Sequence, residues 1–149
     1  MKTVKIMLEE NGIMPKKSHE DDMGYDLFAA NDYYIRYGET VVVSAGFKMA
    51  LPVEEDYIWE AQIRPRSGLS LKTKMRVANS PGTVDAGYRG VVGVIIHNVG
   101  TSKEDNYSIR KGDKIAQMVI TRTPKVVLEQ VTELDDTERS EGGFGSTGK

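Results

Sequence analysis

Asn79-Ser80-Pro81-Gly82-Thr83-Val84-Asp85-Ala86-Gly87-Tyr88-Arg89-Gly90 runs straight into Val91-Val92-Gly93-Val94-Ile95-Ile96. Thr83-Val84 reads as strand. Glycines and a proline bracket Asp85 and Tyr88, three residues apart, and the run that follows is almost wholly apolar. Strand, tight turn and second strand predict a β-hairpin. Val91 to Ile96 has too few polar residues for a half-solvated strand and should be buried on both faces. Outward from this stretch the same short periods recur. Asp56 to Ile63 alternates, with Tyr57, Trp59, Ala61 and Ile63 on one face. Phe47 to Leu51 stops at Pro52. Tyr33 to Tyr37 and Thr40 to Ser44 flank Gly38-Glu39, which predicts another hairpin turn. Val4 to Leu8 alternates in part, and Lys114 to Ile120 and Val126 to Val131 complete the set. No long helical period is present. Only Ser67-Gly68-Leu69-Ser70-Leu71-Lys72 breaks the strand pattern, and it predicts one short helix. Many short strands without long helices indicate an all-β sandwich, jelly roll or barrel.

With 149 residues, the chain suits one domain with a real core. The strand-bearing part is expected over residues 1–131. Residues 132–138, polar and acidic, form a hinge into a glycine-rich tail, so that 132–149 is expected to act as hinge and flexible flap. A net charge of −2 provides no global field to recruit nucleic acid or an anionic membrane. The absence of cysteine excludes disulfides, thiolate metal sites and cysteine nucleophiles. His19 and His97 match no zinc spacing. No apolar run is long enough to span a membrane and no signal peptide is evident, so the chain reads as soluble and cytoplasmic. A β core of this size often closes its edges by oligomerising.

Five short motifs between the strands carry candidate chemistry. Gly24-Tyr25-Asp26-Leu27 reads, taken alone, as a turn with a solvated aspartate. Pro65-Arg66-Ser67-Gly68 offers a guanidinium fork, a hydroxyl and an unobstructed N–H at the start of the short helix, a combination suited to phosphate oxygens; a capping serine beside a surface arginine is the plainer reading. In the stretch quoted first, Asp85 is a candidate general base for a water nucleophile, Tyr88 could lie flat under a sugar, and the backbone could read a base edge. Gly93 marks a place where a ligand could approach closely. In Gly112-Asp113-Lys114-Ile115-Ala116-Gln117, a turn feeds a strand. The amide of Gln117 then needs partners, which phosphate, a catalytic water or core backbone would supply. The fifth motif is Arg139-Ser140-Glu141-Gly142-Gly143-Phe144-Gly145-Ser146-Thr147-Gly148-Lys149. There an arginine, an aromatic ring and glycine backbone suit a flap over a nucleotide. Gly143 to Lys149 mimics a P-loop, but no apolar strand feeds it.

Together, in this order and spacing, the motifs resemble those of the homotrimeric deoxyuridine triphosphatases, from Gly24 to Gly148. The resemblance implies a distorted β jelly-roll barrel, a homotrimer with shared active sites, and Mg2+-dependent hydrolysis of dUTP to dUMP and pyrophosphate. That activity would limit uracil incorporation into DNA and supply dUMP for dTTP synthesis. Carried onto this chain, Asp85 activates the water that attacks the α-phosphorus, and Tyr88 packs beneath the deoxyribose. Asn79 and the backbone of Gly82, Thr83, Val84 and Asp85 hold uracil, with Gly93 behind. Arg66, Ser67 and Gly68 contact phosphates from a second subunit, and Gln117 bonds near the phosphates and water. Arg139 grips the γ-phosphate and Phe144 stacks on uracil from a third subunit, while Gly145 and Ser146 close the flap. Asp26 acts indirectly, supporting either the Mg2+ and water network or Arg66. Mg2+ is held by phosphates and water with no direct protein ligand.

Two departures stand out. Ser140-Glu141 intervene before Gly142 where the family usually has glycine after the arginine, and Met23 replaces a small residue. A related dCTP deaminase would need a glutamate on the strand after the hairpin, and residues 85–98 contain none. A non-catalytic jelly-roll binding protein would have no need of Asp85, Arg66, Gln117 and Arg139 together.

Overall fold

The structure is a computed structural model, and it describes residues 1–142. Eleven strands and one α-helix follow one another among the described residues: β1 (Lys5–Leu8), β2 (Tyr25–Phe28), β3 (Tyr33–Ile35), β4 (Thr40–Ser44), β5 (Phe47–Ala50), β6 (Tyr57–Arg64), α1 (Ser67–Lys72), β7 (Met75–Val77), β8 (Gly82–Asp85), β9 (Gly93–Asn98), β10 (Tyr107–Ile109) and β11 (Lys114–Pro124). A 3-10 turn at Lys103–Asp105 leads into β10. The strands form a four-stranded sheet β2-β11-β6-β8, a three-stranded sheet β4-β9-β7, and the pairs β1-β5 and β10-β3. Every strand pairing is antiparallel. One apolar core joins Leu27, Val43, Phe47, Ala61, Ile63, Val94, Ile96, Ile115 and Met118 from six strands of three sheets. This is a distorted jelly roll with one short helix; the strand pattern leaves sandwich, jelly roll and barrel open, and the family resemblance implies the jelly roll.

Alternation accounts for most of it. On β6, Ala61 and Ile63 point into the core while Ile58 is exposed. β9 corrects one expectation, because only one of its faces is buried. Val94, Ile96 and Asn98 point inward, whereas Gly93, Ile95 and His97 stay half-exposed. An apolar run therefore need not be a doubly covered strand; here its outer face lines a cleft. Asn98 is tolerated inside because its amide donates to Ile35 O and Asp105 O and its carbonyl accepts from Gly100 N.

Both expected hairpins are also corrected. The turn at Gly38 exists, with φ of 72°, but β3 pairs with β10 and β4 with β9, so the chain changes sheets there. Likewise β8 pairs with β6 while β9 lies between β4 and β7. The Asp85–Tyr88 loop thus crosses from one sheet to the other. Sequence proximity favours a local hairpin, but a closed roll pairs neighbours in space. Finally, Val126 to Val131 forms no strand. The last ladder partner of β11 is Tyr57, opposite Pro124, and beyond it Val127 and Leu128 stand 95% and 94% exposed. An apolar segment becomes a strand only where an edge is available to pair with it.

Candidate active site

β6 is the spine of the site, with β8 on one side and β11 on the other. Between β8 and the outer face of β9 opens a cleft of about 230 Å³. It is lined by Gly82, Thr83 and Val84 of β8, with Asn79 before them, Asp85 at the strand end, Tyr88 in the crossing loop, and Gly93 opposite. Seven residues singled out from the sequence therefore meet in one place. Ile63, Val92 and Ile95 also line it. They escaped notice in the sequence because apolar strand residues read as core; the signal that could have found Ile95 is its position two residues from Gly93 on the same strand face.

Asp85 is exposed and sits opposite Glu60 in the β6–β8 ladder. The loop turns tightly after it, Tyr88 N donating to Asp85 O at 3.0 Å. The Tyr88 hydroxyl donates to Val91 O at 3.1 Å, which bends the ring back along the loop. Gly90 permits this, since a Cβ there would stand 2.3 Å from the Tyr88 hydroxyl oxygen. A flat, half-exposed ring and a row of backbone groups can hold a planar base and a sugar with few side-chain contacts.

A second cleft, of about 280 Å³, shares no lining residue with the first. Asp26, Arg66, Ser67 and Gln117 line it, with Ser18, Asp22, Met23 and Gly24. Asp26 is no solvated turn residue. It lies on β2, only 9% exposed, and Arg66 Nε donates to its Oδ1 at 2.8 Å. Lys114 Nζ lies 2.6 Å from Oδ2, and the Ser18 hydroxyl donates to the same oxygen at 3.2 Å. Desolvation is the largest single influence on this carboxyl and raises its pKa. The Lys114 hydrogen bond, the charges of Arg66 and Lys114, and the Ser18 hydroxyl together outweigh it and hold the group below the usual aspartate value. Lys114 and Ser18 were not among the residues chosen from the sequence, because a lone lysine and a lone serine carry no pattern until the fold brings them to Asp26.

Gln117 sits on β11 opposite both Asp26 and Arg64. Its Nε2 donates to Pro65 O at 2.9 Å, so its partner is the backbone just before Arg66. Gly24 lies against this amide; a Cβ at residue 24 would stand 2.2 Å from Gln117 Oε1. Ser67 is the first residue of α1 and not its cap. Arg66 holds the cap position and makes no side-chain capping bond. Gly68 follows with open space around its Cα and lines neither cleft.

Arg139 also lines neither cleft. Its Nε donates to Gly142 O at 2.8 Å within a turn that begins at Thr137. Phe144, Gly145 and Ser146 lie outside the described residues. Among the described residues no group of three or more His, Cys, Asp or Glu side chains converges on one point, and no helix is long and apolar enough to cross a membrane.

The family model for dUTPase matches residues 10–148. A deoxyuridine 5'-triphosphate nucleotidohydrolase from Clostridium tetani (strain Massachusetts / E88) is 47% identical over 99% of this chain and 97% of its own. One from Gloeothece citriformis (strain PCC 7424) is 49% identical over 99% and 97%. Among solved structures, a Staphylococcus bacteriophage 80alpha dUTPase with dUpNHpp superposes with a TM-score of 0.89 at 31% identity, covering 99% of both chains. A variant of the dUTPase from phage phi11 of S. aureus, described with a structural Mg(II) ion, matches at a TM-score of 0.79 and 30% identity over 88% of this chain and 97% of that one.

Proposed function

The chain belongs to the dUTPase family, and from that premise we propose how its two clefts divide the hydrolysis of dUTP to dUMP and pyrophosphate. The β8–β9 cleft takes the deoxyuridine. Uracil hydrogen-bonds to the backbone of Gly82 to Asp85 and to Asn79, with Gly93 behind. The deoxyribose rests on Tyr88, which leaves no room for a 2'-hydroxyl. Asp85 takes a proton from a water as that water attacks the α-phosphorus. The bond from the α-phosphorus to the bridging oxygen breaks, and pyrophosphate departs. The observation that carries this reading is the exposed Asp85 in a cleft that Gly82, Thr83 and Val84 of β8 and Tyr88 of the crossing loop also line.

Arg66, Ser67, Gly68 and Gln117 serve the phosphates, which mainly need positioning and charge neutralisation. Arg139 joins them from the tail, with Phe144 over uracil and Gly145 and Ser146 closing the flap. Residues 132–149 act as the hinge and that flap. When bound with the triphosphate, Mg2+ would supply further charge neutralisation there. The chain's donor set suits this arrangement, since both oxygens of Asp26 already face cations and a Mg2+ carried by triphosphate and water requires no protein cage.

A single chain keeps the two clefts apart, and it leaves the apolar residues Val126, Val127 and Leu128 uncovered. Both facts support a homotrimer. In that assembly the Arg66 cleft of one subunit meets the Asp85 cleft of the next, and the apolar segment is covered by a neighbour. In the cell the reaction keeps uracil out of DNA and provides dUMP for dTTP synthesis.

The test is pyrophosphate release with Mg2+ from dUTP, dCTP, dTTP and UTP in parallel. Fast release from dUTP alone is expected. Comparable release from UTP would remove Tyr88 from the sugar filter, and ammonia from dCTP would point to deamination on the same fold.

A further inference from the structure

β11 sends Lys114 and Gln117 to contacts that a regular strand could not make together. Lys114 and Gln117 are three apart, an odd separation that sends side chains to opposite faces of an unbroken strand. The pairing with β2 shifts register between Lys114 and Ala116. A bulge of this kind re-aims the side chains on one side of it. Ile115 and Ala116 both join the core across this shift, while Lys114 reaches Asp26 Oδ2 and Gln117 reaches Pro65 O. The two contacts hold one residue from two sides. Pro65 O belongs to the peptide unit that enters Arg66, and Asp26 Oδ1 accepts from Arg66 Nε.

A carboxylate facing one arginine prefers a bidentate grip, with both oxygens on two guanidinium nitrogens. Here that grip is not made. Oδ2 is engaged by Lys114 and Ser18, so among the described residues the Arg66 side chain is held through Nε alone. The other acid at this cleft, Asp22, accepts from His19 N at 2.8 Å. We propose that Lys114 is a positioning residue for dUTP binding: its ammonium occupies one oxygen of Asp26, so that Asp26 steers Arg66 by Nε and both Nη groups stay open to the phosphate chain. This rests on the reading that Arg66 binds the triphosphate. Lys114 then touches Asp26 and not the substrate, and it sets the aim of a residue on a different element.

The experiment measures dUTP turnover in the full-length protein for Lys114→Met, Lys114→Arg, Asp26→Asn, the Lys114→Met/Asp26→Asn double variant, and Arg66→Gln. Lys114→Met should raise KM about tenfold, the order expected for disturbing one charge-assisted hydrogen bond, with a smaller change in kcat. Lys114→Arg, which can still occupy Oδ2, should restore most of the loss. In the Asp26→Asn background, Lys114→Met should add less than about twofold, because the carboxylate through which it acts is gone. Lys114→Gln replaces Lys114→Met should the latter fail to fold, and it should give a smaller rise in KM. An unchanged KM in Lys114→Met would overturn the proposal. So would a full effect persisting beside Asp26→Asn, which would mean that Lys114 meets the substrate itself. An unchanged KM in Arg66→Gln would instead remove Arg66 from phosphate binding, whatever Lys114 and Asp26 show between them.

Discussion

The two clefts are built on opposite principles. The Asp85 cleft is lined by glycines, apolar strand residues and a few neutral polar ones around a single carboxylate, and its one tyrosine is placed by a single hydroxyl bond and a missing Cβ. The Arg66 cleft is a charge lattice in which one buried carboxylate meets two cations and a hydroxyl. The contrast matches what each would bind. A base offers a fixed pattern of donors and acceptors on a flat ring, and rigid backbone reads it at little entropic cost. A triphosphate offers charge with little shape, and it is met by charges already oriented. The first cleft should therefore be sensitive to chemistry at one atom, and the second to anything that disturbs its network.

The sharpest break in this comparison is Asp85→Asn. Asp85 is exposed at the end of β8, so folding and dUTP binding should persist while kcat falls by roughly 10²-fold or more, as for the loss of a general base. Single-turnover kinetics with a binding measurement would check it, and near-normal turnover would remove Asp85 from that role. Gly24→Ala should come next. The new Cβ would stand 2.2 Å from Gln117 Oε1, so the amide must swing and lose its bond to Pro65 O. A rise in KM of roughly threefold to tenfold is expected, in line with one lost hydrogen bond. The subtlest test concerns pH. The fold lowers the Asp26 pKa, so its ion pairs add stability that is fully present above the ordinary aspartate value and is lost as pH falls through the lowered one. Wild type should lose thermal stability across that acidic window by more than Asp26→Asn does. Parallel loss in both proteins would mean that Asp26 contributes nothing to acid sensitivity.

Much of the Asp85 cleft was legible because its parts are contiguous. Asn79 to Gly93 is one stretch in which glycine, aspartate and tyrosine stand close together, so that a merely decorated turn is the weaker reading. The Arg66 cleft was legible only as fragments. Asp26, Arg66 and Gln117 could be suspected one by one, but an aspartate in a turn and an amide in a strand each have an ordinary reading. Their meeting depends on β2 and β6 lying on either side of β11. Lys114 was illegible for a further reason. Strand parity sends it away from Gln117, and only the register shift on β11 reverses that.

The alternation of apolar and polar residues by itself determined that this chain is all-β, that Ser67 opens one short helix, and which face of β6 enters the core. These are local consequences of side-chain period and burial. Which strand pairs with which was decided only in three dimensions. Adjacent segments that read as hairpins, at Gly38 and at Asp85, feed different sheets. Val126 to Val131 carries the composition of a strand and finds no edge among the described residues. Pairing is a property of two segments and the core between them, and one segment's sequence specifies only half of it.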